Sequence, residues 1–188
     1  MTRLPNVLST DDLPLAELCA ARLDGDVGAL HGAFVPIDAP DVPALRAGAL
    51  AIGIDRSLIL DRRSAAWVHG AIPAPPYDTQ LCRSAAARGT AQPGTRGVRE
   101  LVIAPGELVD FEGVRCTSRA RTAFDLLRDP NEASDEVEQI VARLIASHDG
   151  LERELRARLQ DSVRLPYRAL ASARLERALA RAQPSATR

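Results

Sequence analysis

The chain holds 188 residues, 46% hydrophobic and 26% charged, with a net charge of −1, which suits one ordinary globular domain and leaves little room for two. No apolar run approaches the roughly 18 residues of a membrane span. The opening MTRLPNVLSTDDLP puts a proline and an acidic pair where a secretory leader needs an apolar core, so a cytoplasmic protein with no membrane partner is expected. Every basic residue is arginine, and the 3 cysteines, Cys19, Cys82 and Cys116, lie far apart, as free thiols would.

The first segment, STDDLPLAELCAARLDGDV, predicts a helix over residues 13 to 23, with Asp11 or Asp12 as cap and Pro14 in its first turn. GALHGAFVPID then reads as a short strand or hairpin between glycines. After the linker DAPDVP, the segment ALRAGALAIGI predicts an apolar helix capped by Asp41. In LDRRSAAWVHG, Asp61 is placed to cap about two helical turns that Gly70 stops. IPAPPYDTQ is extended, because Pro73, Pro75 and Pro76 forbid a helix.

Strand-like runs follow at TQLCRSA, GVRELVIA and LVDFEGVRCTS, with a loop over residues 87–97 and a tight turn at Glu112-Gly113. SRARTAFDLLRDP is the clearest helix, capped by Ser118 and closed by Pro130. DEVEQIVARLIASHDG, LERELRARLQDS and RALASARLERALAR are helical in pattern, and residues 183–188 read as a frayed end. The expected fold is α+β: a reduced winged-helix-like unit over 1–40, a small mixed β-sheet with helices over 41–150, and a basic helical segment over 151–188.

Charge is uneven along this plan. Residues 1–60 carry four arginines against eight carboxylates, a net −4, whereas residues 151–188 carry nine against four, a net +5. A polyanion is drawn first to the C-terminal segment. Its arginines, Arg153, Arg156, Arg158, Arg164, Arg168, Arg174, Arg177 and Arg181, read either as a nucleic-acid surface or as a solvated helix face. No phosphate-binding glycine loop, nucleophile elbow or zinc motif is present. His31, His69 and His148 sit in separate segments, so neither a metal site nor a cofactor is expected. Trp67 is the only tryptophan and reads as a core anchor. Arg121 and Asp125, four apart on one helix face, read as a pair that ties the helix to a strand end.

The order of these elements, from LPLAELCAARLDGDV through FVPID and RSAAWVHG to RGVRELVIAPGELVDFEGVRCTSRARTAFDLL, resembles the AbiEi family of antitoxins of type IV toxin–antitoxin systems in its short actinobacterial form. The likeness runs from about residue 8 to about 180. Its markers are Ser64-Ala65-Ala66, Trp67 and His69-Gly70, then Thr117-Ser118, Arg121-Thr122 and Asp125-Leu126. The resemblance implies a non-enzymatic antitoxin and transcriptional regulator. It would use a winged helix on operator DNA and an α/β domain to neutralise a nucleotidyltransferase-like toxin. The endonuclease-like domain of some relatives is not expected, since the sequence stops at Arg188.

One departure bears on DNA binding: a single helix precedes the wing-like hairpin, and it sets Arg22 against Asp11, Asp12, Glu17, Asp24 and Asp26. The expected DNA contacts are therefore Arg22, Arg62 and Arg63 with Arg153, Arg156, Arg174 and Arg177, while Ser64, Trp67, His69, Gly70, Arg121, Thr122 and Asp125 are structural. The alternative is a protein-interaction domain of the same fold that has lost DNA binding. A continuous positive face would favour the first reading, and arginines paired with glutamates the second.

Overall fold

The computed structural model describes residues 5–85, 98–161 and 166–182 and is an α+β fold. The loop expected over 87–97, the end over 183–188 and Arg164 lie outside the described residues. The chain opens with α1 (Leu15–Asp24), β1 (Val27–Leu30) and β2 (Ala33–Pro36), followed by α2 (Pro43–Leu50), β3 (Ile59–Leu60) and α3 (Arg62–Val68). The strands β4 (Leu81–Ser84), β5 (Arg99–Leu101), β6 (Leu108–Phe111) and β7 (Val114–Thr117) come next. Four helices close it: α4 (Arg119–Arg128), α5 (Ser134–Ala146), α6 (Leu151–Asp161) and α7 (Arg168–Ala182).

The N-terminal unit is one helix and one hairpin. β1 and β2 pair antiparallel, with Leu30 opposite Ala33, around His31 and Gly32, whose φ angles of 49° and 81° are those of the turn that matches strand twist. A bridge from Leu8 to Phe34 lengthens the ribbon. Leu8, Leu18 and Val27 form a small core of their own, while Ala33 already belongs to the main core.

The second sheet has five strands in the order β5-β4-β3-β7-β6. β3 runs antiparallel to β4 and parallel to β7, and β5 lies parallel to β4 at the edge. The central strand β3 was not expected from sequence. It is two residues long, too short to show alternation, and is defined only by neighbours distant in the chain.

Three caps differ from expectation. α1 begins after Pro14 with no side-chain cap, because the Asp12 carboxylate folds back to accept the Ser9 N–H at 2.8 Å. α2 is preceded by Val42, and Asp41 instead receives Arg46 Nε at 2.6 Å. Asp61 stands at the cap position of α3 without making the cap bond, and Arg99 of β5 takes its carboxylate at 2.7 Å. Asp12 and Asp41 thus engage local partners instead of the helix ends, whereas Asp61 is paired through Oδ2 and its buried Oδ1 has no hydrogen bond among the described residues. Ser118 does cap α4, accepting the Arg121 N–H.

One large core runs through α2 to α7. It joins Leu50, Trp67 and Phe124 to Leu144, Leu151, Leu155, Leu175 and Ala178, so the described part of the C-terminal segment packs on the same core as the middle of the chain. α4 is the centre of this arrangement: Ala120 to Leu127 are all buried, although the segment includes Arg121, Thr122 and Asp125. A helix with charges on a buried face needs those charges matched inside.

Candidate functional site

The matching begins at Arg121. Its guanidinium donates to Asp125 at 2.8 Å, to Glu107 at 2.7 Å and to the Val102 carbonyl at 2.9 Å. Arg121, braced by Asp125 within α4, therefore ties that helix to the segment after β5 through Val102 and Glu107. Glu107 also receives Arg158 of α6 and the Ala104 N–H at 2.9 Å, and against the cost of burial the Ala104 N–H, Arg121 and Arg158 hold its carboxyl below the usual range. Arg128 and Arg158 flank the Phe124 ring, with guanidinium carbons 4.9 and 4.3 Å from its centre. Thr117 and Thr122 share a hydroxyl hydrogen bond of 2.7 Å.

The motif around Trp67 is equally inward. Trp67 is 2% exposed, its carbonyl accepts Arg46 Nη1 at 2.9 Å, and the Arg46 guanidinium lies 5.7 Å from the ring centre. Ser64 Oγ accepts the Gln80 N–H at 2.8 Å, which fixes the start of β4. Gly70 has φ 81°, and a Cβ there would stand 3.3 Å from Arg46, so glycine serves both the helix stop and the approach of that arginine. His69 Nε2 donates to the Thr117 carbonyl at 2.7 Å, and its Nδ1 is buried without a partner. Burial pushes this imidazole down to about 4, with Arg119 and His148 adding smaller repulsions.

The arginines assigned to DNA do not form one positive face. Arg62 lies between Asp61 at 3.6 Å and Asp129 at 3.3 Å. Arg63 pairs with Glu132 and Glu136, and Arg156 with Glu152 and Glu176. Arg177 and Arg181 both hold Glu138, whose side chain is 1% exposed. Arg174 is a correction to the sequence reading: it is 2% exposed and cannot reach a phosphate backbone. Its guanidinium donates to the carbonyls of Leu126, Leu127, Asp129 and Glu132 and to Ser134 Oγ, closing the C-terminal end of α4 and the turn into α5. Arg22 and Arg153 are exposed, and neither has an ion pair among the described residues.

The two buried cysteines are not poised as nucleophiles. Burial pushes the Cys82 thiol up to about 12 and raises that of Cys116 further, so neither is a thiolate at neutral pH. Among the described residues no group of three or more His, Cys, Asp or Glu side chains gathers as a metal site, and no helix is long and apolar enough to cross a membrane.

A groove of about 530 Å³ lies between α2, the turn after it and the β6-β7 hairpin. Leu45, Ile52, Leu58, Phe111 and Val114 line it, and Arg56, Arg115, Asp55 and Glu112 form its rim. Ile52 and Val42 are exposed on this side. Arg115 bridges to the carbonyls of Arg56 and Ser57, which braces the hairpin against the turn. Asp55 is held below its usual range chiefly by its hydrogen bonds to Ser57. The groove thus has an apolar floor and a rim of both charges. Sequence reasoning passed over it because its residues come from four segments, and because Ile52 stood inside the helix expected over ALRAGALAIGI, whereas α2 ends at Leu50. No protein-family model matches the chain, and no curated protein matches it.

Proposed function

We propose that this chain is a protein-binding module of the antitoxin type, which engages a partner protein through the groove between α2 and the β6-β7 hairpin. The observation that carries the reading is the pairing of Arg62, Arg63, Arg156 and Arg177 with carboxylates, and the enclosure of Arg174. A cation already neutralised inside its own fold releases few counterions from DNA, so phosphate affinity is small. The N-terminal helix and hairpin are, in this reading, a reduced winged-helix-like unit kept for packing. The partner that the AbiEi likeness supplies is a nucleotidyltransferase-like toxin.

The test is calorimetric titration of the purified chain with a nucleotidyltransferase-like toxin of the class that the AbiEi likeness implies, repeated with Ile52→Asp. Ile52 lies at the open side of the groove, so the variant keeps the core, and a loss of roughly tenfold or more in affinity is expected. Saturable binding that ignores Ile52→Asp sinks the groove, and no binding sinks the antitoxin reading.

A second reading, an autoregulator on operator DNA, is favoured by one observation: Arg22, Arg153 and Arg168 are exposed without an ion pair among the described residues. It requires specific, salt-sensitive binding to a duplex of the chain's own promoter, lost in Arg22→Glu/Arg153→Glu.

A further inference from the structure

Most of α1 faces water. Of its 10 residues only Leu18 is buried, with Ala21 half-buried beside it, and these two hold the helix to the small core of Leu8 and Val27. Leu15, Cys19 and Leu23 recur at every fourth position with Ala16 and Ala20 beside them, so at about 100° per residue they cover one unbroken arc of roughly 140°. All five are exposed, Leu15 at 57% and Leu23 at 89%. A helix of this length is marginal alone, and the two leucines add little to its attachment, because their apolar surface stays in water. Contiguous exposed apolar surface bordered by polar groups is a property of interaction sites more than of solvated faces.

The charge around this strip decides what fits it. Residues 11–26 carry five carboxylates, Asp11, Asp12, Glu17, Asp24 and Asp26, against Arg22 alone, a net −4. All six are exposed, and none has an ion pair among the described residues. By helical angle Glu17 and Asp24 border the arc beside Ala20, and Arg22 borders it beside Leu15. Elsewhere the carboxylates Glu132, Glu136, Glu152 and Glu176 are each taken by an arginine. An unpaired field of this sign repels phosphate, which disfavours DNA, RNA and anionic lipid. The same face of a second copy would bring the same sign to the contact. A cationic surface with an apolar centre complements the strip in both respects.

We propose that the outer face of α1 docks a cationic amphipathic helix of a partner protein, with Leu15, Cys19 and Leu23 against its apolar stripe and Glu17 and Asp24 paired with basic side chains along its flank. Helices packed side by side interdigitate residues three and four apart, which is the spacing of this strip. A contact this short gives a weak complex whose formation is hastened by charge. None of these residues lines the groove between α2 and the β6-β7 hairpin, so the two surfaces are separate and their tests stand apart.

The experiment titrates the isotope-labelled full chain with a synthetic helical peptide of leucine and arginine, its leucines at helical spacing, and with a scrambled peptide of the same composition, following amide resonances by NMR. Saturable shifts centred on α1 are expected with the patterned peptide, and binding roughly tenfold weaker with the scrambled one. Leu15→Gln/Leu23→Gln should weaken the patterned peptide roughly tenfold, and Glu17→Gln/Asp24→Asn several-fold, with added salt acting in the same direction. Glutamine keeps the helix propensity of leucine and both leucines are exposed, so the melting temperature of that variant should stay at the wild-type value. Absence of saturable shifts on α1, equal binding of the two peptides, or binding indifferent to Leu15→Gln/Leu23→Gln overturns the proposal. So does a dimer of the chain alone, in sedimentation, that the same double variant abolishes, since the face would then belong to a second copy.

Discussion

Protonating His69 in place would put a cation beside buried Cys116 and Phe111, where only the Thr117 carbonyl favours it. Its pKa falls from 6.5 to about 4 on folding, so below pH 6.5 the unfolded chain binds the proton first. The contribution of this residue is complete above that pH and is lost as pH falls toward 4, a difference of about 3 kcal/mol. Asp41, Glu107 and Asp129 have lowered values and weaken the fold only in more acid solution, so the two windows separate. Denaturant unfolding between pH 7 and 4.5 should show this slope. His69→Gln should start from lower stability at pH 7 and respond less to acid; an unchanged slope would assign the effect elsewhere.

Among the elements, the β6-β7 hairpin turns through Glu112 and Gly113 with φ 54° and 89°, both in the left-handed region. Glycine bears that conformation freely, whereas glutamate pays a steric cost that asparagine largely avoids. Glu112→Asn is expected to raise stability by about 0.5 kcal/mol in thermal or denaturant unfolding; a lower stability would mean that the rim carboxylate matters to the fold. That this turn was legible in sequence, like the helix of residues 119–128, has a common reason: the deciding signals lie within four residues of one another, whereas GALHGAFVPID left strand and hairpin open and the turn at His31-Gly32 was not placed. Asp61 was not legible, because its partner Arg99 is 38 residues away. The same holds for Arg174, which in sequence is one more arginine on a basic helix and in the fold closes the end of another helix. Helical periodicity identifies the stripe Ala171, Leu175, Ala178 that goes inward; it cannot say that a long cation beside it meets carbonyls there. The groove was hidden for a related reason, since floor and rim are assembled from strands and turns that touch only after the sheet has formed.

At the scale of the whole molecule, the main core depends on its last helix. α5 and α7 pack together, Leu175 and Ala178 lie among the core residues of α3 to α6, and the Asp129 carbonyl receives an arginine 45 positions further along the chain. Arg174→Ala should cost about 3 kcal/mol in denaturant unfolding, because several buried carbonyls lose their donor together; a loss under about 1 kcal/mol would show that water replaces it. The same dependence acts in time. A ribosome delivers α4 and α5 well before the residues that complete them, so the nascent domain must wait with its central helix open at one end. Translation therefore yields no finished core by stages here: protease resistance of an arrested chain should rise sharply only once α7 has left the exit tunnel, and a gradual rise would mean that the earlier helices close without it.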